Sequence, residues 1–172
     1  MFLSTLRPTR ITPGWLWFTP LVAGLVALAF LPPVLEGGAR MGLMHGFSLV
    51  CHQIPERSLA IGGVPIALCH RCTGILVGLA VGLAVAPLLI RSASAAGRRL
   101  LGGVPGRHRA AVLLLLALIP ASVDWALGAT GLWANTPTSR VLTGAIIGLV
   151  AGLLVGRAFL RPPVRSLSLT HT

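Results

Sequence analysis

Charged side chains are scarce in this sequence, and acidic ones are almost missing. Only 10% of the 172 residues are charged, whereas charged residues make up about a quarter of an ordinary soluble domain. Lysine is absent, so all 14 basic residues are arginine, and only three residues are acidic. Because 55% of the residues are hydrophobic, this composition excludes an ordinary soluble domain and indicates a membrane protein.

Four apolar stretches are long enough to cross a bilayer, whose hydrocarbon core of ~30 Å requires about 20 apolar residues in a helix. They cover residues 15–35, 72–90, 110–133 and 141–160. The first is long for a secretory signal, and no clear small-residue cleavage site follows it. The sequence therefore predicts an all-α, polytopic membrane helix bundle, with one membrane domain over residues 1–172 and four transmembrane helices.

The arginines are distributed unevenly between the two predicted sides of the membrane. Ten of the 14 fall on one side: Arg7, Arg10, Arg91, Arg98, Arg99, Arg107, Arg109, Arg157, Arg161 and Arg165. Because short arginine-rich loops stay cytoplasmic, we expect both termini and the basic loop 91–109 inside the cell, in contact with anionic lipid headgroups. The loop 36–71 is then extracytoplasmic. Nucleic acid is not an expected partner, since no basic stretch carries interleaved aromatic residues.

The reactive side chains are concentrated in the outer stretch CHQIPERSLAIGGVPIALCHRCTG, residues 51–74, which contains all three cysteines. Before it, residues 37–53 predict a short, half-buried helix. Pro55 and the GGVP sequence at 62–65 then predict a turn. Because the chain returns to Cys69 at the start of the second spanning helix, we expect Cys51 and Cys69 to meet.

These residues form a candidate metal site. The predicted ligands are Cys51, His52, Cys69 and Cys72. A C-x-x-C pair presents two thiolates to one ion, and a returning loop with a cysteine and a histidine would complete a tetrahedral set. His45 or His70 could replace His52, since the side chains of adjacent residues diverge. Zinc suits such a set best, with copper or another transition metal as the alternative.

Thiol–disulfide exchange is an alternative function for the same cysteines. Cys69 and Cys72 lie at a predicted helix N-terminus beside Arg71, and both features stabilise a thiolate. Thiols outside the cytoplasm tend to be oxidised. The architecture is similar to that of the quinone-linked thiol oxidoreductases, in which case Cys51 would be the resolving thiol and a quinone the cofactor.

Two other interpretations stay open. Residues 51–58 have the Cys-x5-Arg-Ser spacing of cysteine-dependent phosphatases, which would make the chain a lipid-phosphate-handling enzyme with Cys51 as its nucleophile. That stretch contains Pro55, lacks glycine and follows no predicted strand, so a backbone loop that cradles phosphate is not expected. The other interpretation is a structural disulfide that only holds the loop in place.

A second group of polar residues is predicted to form an anion or ion-pair site near the cysteines. Its members are Arg57, Arg71, Asp124, Asn135 and Arg140. A carboxylate within the third apolar stretch is costly unless it faces the bundle interior and finds a partner. Arg71 and Arg140, at the outer ends of neighbouring helices, are the expected partners of Asp124, and arginines there could bind an anionic substrate or a lipid phosphate.

Glycines recur at every fourth position in two of the spanning segments. They are Gly74, Gly78 and Gly82 in the second segment and Gly144, Gly148, Gly152 and Gly156 in the fourth. This spacing stacks glycines on one helical face and allows two backbones to approach closely. We expect these two helices to pack against each other.

The motifs together resemble those of a family of prokaryotic membrane proteins known as domain of unknown function 2085. The first block is Cys-His-Gln at 51–53, Arg-Ser at 57–58 and Cys-x-Arg-Cys-Thr-Gly at 69–74. The second consists of Asp124, Asn135, Arg140 and Thr143-Gly144, so the likeness covers about residues 45–148. The resemblance implies a small multi-helix membrane protein and no established activity.

Overall fold

The protein is a bundle of helices in a computed structural model that describes residues 10–100 and 102–161. The helices are α1 (Pro13–Ala29), α2 (Gly37–Ser48), α3 (His70–Leu100), α4 (Arg109–Ala129) and α5 (Pro137–Phe159). Three segments of the described chain are long and apolar enough to cross a membrane: His70–Leu89 within α3, and the whole of α4 and α5. The predicted mostly helical, multi-pass architecture is confirmed at this level.

The first apolar stretch forms a shorter helix than the sequence predicted. α1 has 17 residues, which at 1.5 Å per residue gives ~25 Å, somewhat less than the hydrocarbon thickness. The predicted span continued to residue 35. Pro32 and Pro33 instead form a short 3-10 turn, Pro32–Val34, because proline lacks the backbone donor that a continuing α-helix needs. The described chain therefore has three to four candidate membrane-spanning helices.

The second apolar stretch forms a longer helix than predicted. The expected span ended at Ile90 and a basic loop followed it, whereas α3 continues to Leu100. Residues 91–100 include three alanines, and alanine has the highest helix propensity. The helix therefore runs on beyond its apolar part and carries arginines past the end of the membrane-crossing segment.

The fold is not purely helical, which corrects the all-α prediction. The described residues form two short antiparallel sheets, each with two strands: β1 (Arg10–Ile11) pairs with β4 (Leu160–Arg161), and β2 (Ser58–Ile61) pairs with β3 (Val64–Cys69). The β2–β3 hairpin contains the predicted turn, where Gly62 and Gly63 have φ of 59° and 79°. Positive φ at both turn positions is the geometry of the commonest two-residue hairpin turn.

The four long helices α1, α3, α4 and α5 alternate in direction along the chain. The indole of Trp15 in α1 donates to the carbonyl of Leu83 in α3 (3.1 Å), while Ala29 at the other end of α1 packs with Leu68, just before α3 begins. β1 precedes α1 and β4 follows α5, so their pairing brings these two ends of the described bundle to the same side. Both chain termini, with Arg7 and Arg165, lie outside the described residues.

α3 and α5 run parallel and form the closest helix pair, as the glycine spacing predicted. A Cβ built on Gly78 would overlap the carbonyl oxygen of Ala145, and one on Gly148 would overlap the carbonyl oxygen of Ile75. The same pattern repeats along both helices, with glycines of each helix seated on backbone atoms of the other. Backbone atoms rather than side chains therefore form this glycine seam, a packing typical of membrane helices.

Replacement of a seam glycine should destabilise the bundle. For Gly148→Ala we expect the free energy of unfolding to fall by ~1–3 kcal/mol, the usual cost of overpacking, because the new methyl group meets backbone that cannot move aside. Reversible unfolding of the purified protein in detergent micelles would measure this.

Gly24→Ala in α1 is the matched control, because its added methyl group meets no atom within 4 Å and alanine is favoured over glycine in helices. The two variants should differ clearly. Equal stability of both variants would contradict the close backbone contact between α3 and α5.

Candidate functional site

Cys51, the first cysteine of the site, lies in the segment that follows α2. The backbone N–H of Cys51 donates to the carbonyl of Phe47 (3.0 Å), and Cys51 is 3% exposed. Gln53 has φ of 50°, which is uncommon for a residue other than glycine. Its side-chain amide donates to the carbonyls of Met44 (2.7 Å) and Ala67 (2.9 Å). Gln53 thereby ties the end of α2 to β3 and fixes the loop that carries Cys51.

Cys69, the second cysteine of the site, lies at the end of the β2–β3 hairpin. Ser58 pairs with Cys69 across the hairpin, and Ile66, Ala67 and Leu68 are buried, which anchors β3 in the protein. At the end of β3, the backbone N–H of Cys69 donates to the sulfur of Cys51 (3.3 Å). The expected meeting of Cys51 and Cys69, 18 positions apart, is therefore present in the structure.

The third cysteine completes a cluster of sulfurs. Cys72 lies in the first turn of α3, directly after β3, and the sulfur atoms of Cys51, Cys69 and Cys72 all lie within 4.8 Å of one another. All three are free thiols. Cys51 is buried, and the other two are half-buried. Three soft donors thus converge where a strand ends and a membrane-crossing helix begins.

The cluster favours the ionised form of Cys69. A hydrogen bond from the Cys72 thiol lowers the pKa of Cys69 to about 5, and burial opposes this shift. The backbone N–H groups of Arg71 and Cys72, in the first turn of α3, and the Cys51 thiol also stabilise the thiolate. The thiolate is the form of cysteine that binds metals and acts as a nucleophile, so this shift favours both kinds of chemistry at Cys69.

None of the described histidines is gathered with the sulfurs. His52 is exposed and lines the same cavity as the cysteines, but the group of close donors in the described chain consists of the three sulfurs alone. The reason is local, because Cys51 is turned into the protein and the adjacent side chain diverges from it. His45 is exposed on α2. His70 is half-buried, and its Nδ1 has no hydrogen-bond partner among the described residues.

A buried ion pair lies beside the sulfur cluster. Arg71 Nη2 and Asp124 Oδ2 are 2.6 Å apart, and the two side chains are 26% and 7% exposed. The side-chain amide of Asn135 donates to Asp124 Oδ2 (3.0 Å) and to the Asp124 carbonyl (2.7 Å). Asp124 therefore faces the bundle interior and has two polar partners, the arrangement that a carboxylate in a membrane segment requires.

One cavity collects most of the predicted site residues. It has a volume of about 390 Å³. Its lining includes the three cysteines together with His52, Arg57, Arg71, Asn135 and Arg140. Asp124 is not part of this lining but binds the side chains of Arg71 and Asn135, which are. Sulfur donors and positively charged side chains thus share one space at the end of the bundle where α3 and α5 begin.

Comparison with known proteins assigns the chain to a family. Residues 51–154 match the family described as "Predicted membrane protein (DUF2085)". The chain belongs to this family. The matched region begins at Cys51 and includes every cavity residue named above, whereas α1 and α2 precede it.

A relative from Methanocaldococcus jannaschii, described as an uncharacterised protein, is 34% identical over 102 residues. The alignment covers 59% of this chain and 58% of the relative, so the chain spans somewhat more than half of the length of that protein. No solved structure matches the chain significantly.

In this DUF2085 protein, two donors of the segment whose spacing suggested a phosphatase are bonded within the protein. The backbone N–H of Arg57 donates to the carbonyl of Ile54 (3.0 Å), and the Ser58 hydroxyl donates to the same carbonyl (2.9 Å). Cys51 is buried and accepts a hydrogen bond from Cys69. The Arg57 N–H and the Ser58 hydroxyl are therefore not free to hold phosphate oxygens.

Three residues that shape the site were not among the predicted site residues. Gln53 anchors the Cys51 loop, Trp125 lines the cavity, and Gly128 makes room for Asn135, since a Cβ on Gly128 would overlap the Asn135 side chain. Gly128 lies four positions after Asp124 and thus on the same face of α4. That spacing, and the position of Gln53 next to Cys51 and His52, were the available signals.

Removal of the buried carboxylate charge should destabilise the protein. In Asp124→Asn, Arg71 loses its only ion-pair partner within the described chain. We expect a loss of about 3 kcal/mol, the low end for breaking a buried pair, because Arg71 stays partly exposed. Unfolding in detergent would measure it.

Glu56→Gln is the control, since Glu56 is exposed and forms no ion pair among the described residues. Similar unfolding free energies for the two variants would show that the Arg71–Asp124 pair does not contribute to stability.

Proposed function

We propose that this protein is an integral membrane protein that binds a transition metal, with zinc as the first candidate, through the thiolates of Cys51, Cys69 and Cys72. One observation carries the proposal: three free sulfurs from three different elements lie within 4.8 Å of one another. Clusters of thiolates are typical ligands of zinc and of Cu(I).

The donor geometry suits such an ion with a small adjustment. Zn–S bonds of ~2.3 Å in a tetrahedral site place the sulfurs about 3.8 Å apart, so the cluster would contract by roughly 1 Å at its widest. Three protein ligands leave a fourth position for His52, for another histidine or for water. An open fourth position on the cavity side is the arrangement of catalytic zinc sites, whereas a fourth protein ligand would make the site structural.

The proposed site belongs on the extracytoplasmic side of the cell membrane. The sequence predicts four of the 14 arginines at the cysteine end of the bundle and ten on the opposite side. Because the alternating helix directions put β1 and β4 at that opposite side, the positive-inside rule assigns it to the cytoplasm. Its arginines would then contact anionic lipid headgroups.

Metal content is the direct test of the proposed ligand set. Purified wild-type protein should contain about one zinc ion per chain, and Cys69→Ser should lower the metal affinity by more than ~100-fold, beyond the usual effect of an outer-shell substitution. Elemental analysis and a competition titration with a chromophoric chelator would measure both quantities, with copper quantified in the same samples. Zinc should also protect all three cysteines from alkylation.

His108→Ala is the control for that experiment, since His108 is an exposed histidine that precedes α4, away from the cysteine end. His52→Ala identifies the fourth ligand, because a loss of affinity in this variant would add His52 to the set. Stoichiometric metal that survives Cys69→Ser would contradict the proposal.

Thiol–disulfide exchange is the second candidate, and the close approach of the Cys69 and Cys72 sulfurs in the first turn of α3 favours it. The same samples distinguish the two functions. Metal-free protein in which mass spectrometry detects Cys69 and Cys72 as an interconverting dithiol and disulfide would favour a membrane thiol oxidoreductase, with a quinone as the proposed oxidant.

The orientation can be tested independently. We expect Glu56→Cys to react with a membrane-impermeant maleimide in intact cells and His108→Cys to react only after lysis, because both positions are exposed but lie at opposite ends of the bundle. Peptide mass mapping would separate these sites from the native cysteines. The reverse pattern would place the sulfur cluster in the cytoplasm.

A further inference from the structure

A second cavity adjoins the cysteine cavity. It has a volume of about 940 Å³ and lies between α1, α2 and the first part of α3. The two cavities share three residues of their walls, Val50, Cys72 and Ile75. Ligand sites in proteins typically measure ~300–1,000 Å³, so the pair offers one polar compartment and one larger apolar compartment in direct contact.

The second cavity is lined almost entirely by apolar side chains. Leu25 and Leu28 come from α1, Phe47 from α2, and Leu76 and Leu79 from α3. From Cys72 to Leu79 the lining follows α3 for about 10 Å towards the middle of its membrane-crossing segment. The apolar compartment thus extends from the end of the bundle into the depth occupied by lipid acyl chains.

The glycines of α2 distinguish this cavity from an ordinary helix contact. Gly38, Gly42 and Gly46 recur at every fourth position and line the cavity, yet a Cβ built on any of them would meet no atom within 4 Å. The glycines of the α3–α5 seam, at the same spacing, are covered by backbone. The glycine face of α2 therefore borders open space and leaves a smooth wall along which a thin apolar chain can lie.

The polar compartment has an excess of positive charge. Arg57, Arg71 and Arg140 line it, and Asp124 is the one carboxylate that pairs with any of them in the described chain, so three positive charges face one negative charge. A Cys69 thiolate, or three thiolates on Zn²⁺, would add one net negative charge and leave the compartment positive. Arg71 and Arg140 lie in the first turns of α3 and α5, at the ends of two segments that are long and apolar enough to cross a membrane.

We propose that the two cavities form one binding site for an anionic phospholipid, with its phosphate group among Arg57, Arg71 and Arg140 and one acyl chain in the apolar compartment. The lipid would pass between Val50 and Ile75, beside Cys72. Arginine binds phosphate oxygens through paired, charge-assisted hydrogen bonds. The site depends on arginine and apolar contacts, so it stands independently of whether the cysteines bind a metal.

Lipid retention by the full-length protein tests this proposal. Delipidated protein in detergent would be titrated with dioleoyl-phosphatidylglycerol, with dioleoyl-phosphatidylcholine and with inorganic phosphate, and bound species counted by native mass spectrometry. We expect one phosphatidylglycerol to bind at least about tenfold more tightly than phosphatidylcholine, because both lipids present a phosphate but the choline cation of phosphatidylcholine is repelled by the arginines. Arg140→Gln should remove most of this preference.

A pair of matched glycine variants tests the apolar compartment. Gly46→Leu should fill part of the cavity and weaken phosphatidylglycerol binding by about tenfold. Gly24→Leu is the control, because Gly24 also meets no atom within 4 Å but does not line the cavity. Leucine is favoured over glycine in helices, so neither change should prevent folding. Arg107→Gln, outside both cavities, is the control for Arg140→Gln.

Three outcomes would overturn the proposal. Equal binding of the two lipids would show that the arginines do not select an anionic headgroup. Inorganic phosphate that displaces phosphatidylglycerol completely, without any effect of Gly46→Leu, would reduce the site to an anion pocket without a chain. Equal effects of Gly46→Leu and Gly24→Leu would assign the bound lipid to the general surface of the bundle.

Discussion

The direct contact between the backbones of α3 and α5 is the constraint on which the rest of this structure depends. Six glycines of the two helices are seated on carbonyl groups of the other helix, from Gly144 against Arg71 to Gly82 against Leu149. Lipid tails are as apolar as leucine, so close packing rather than the hydrophobic effect must hold membrane helices together. This seam fixes the relative height of the two helices and therefore the positions of Arg71, Cys72 and Arg140 at their first turns.

Three further connections hold the polar site at the end of the seam where α3 and α5 begin. Asp124 of α4 reaches Arg71, and Asn135 closes the pair from the connection that precedes α5. Gln53 connects the end of α2 to β3 and so sets the distance between Cys51 and Cys69. Each of these polar groups has a partner, which is what allows an ion pair and a thiolate to exist at the boundary of an apolar bundle.

The sequence predicted those features that follow from a local pattern of residue types. It did not predict where helices begin and end or which short segments pair as strands. Four apolar stretches, the glycine spacing and the return of the chain to Cys69 were readable from residue types. The end of α1 before Pro32 and the extension of α3 to Leu100 were not, because hydrophobicity marks the membrane-crossing part of a helix and not its hydrogen-bonded ends. The β2–β3 hairpin was predicted as a turn alone, since its strands are short and one is mostly exposed.

By itself, the sequence determined that the chain is a multi-pass membrane protein. It also determined that the second and fourth apolar stretches can pack closely against each other, and that cysteine, histidine, arginine and aspartate side chains are available for chemistry. These properties follow from composition and from helical periodicity, and both are local. Only the tertiary structure decided that the three sulfurs gather without His52 and that Asp124 pairs with Arg71 rather than with Arg140. It also decided that the cavity lined by arginines adjoins an apolar cavity. These outcomes depend on distances between residues far apart in the chain, and such distances are fixed when the glycine seam, the Gln53 bridge and the hairpin act together.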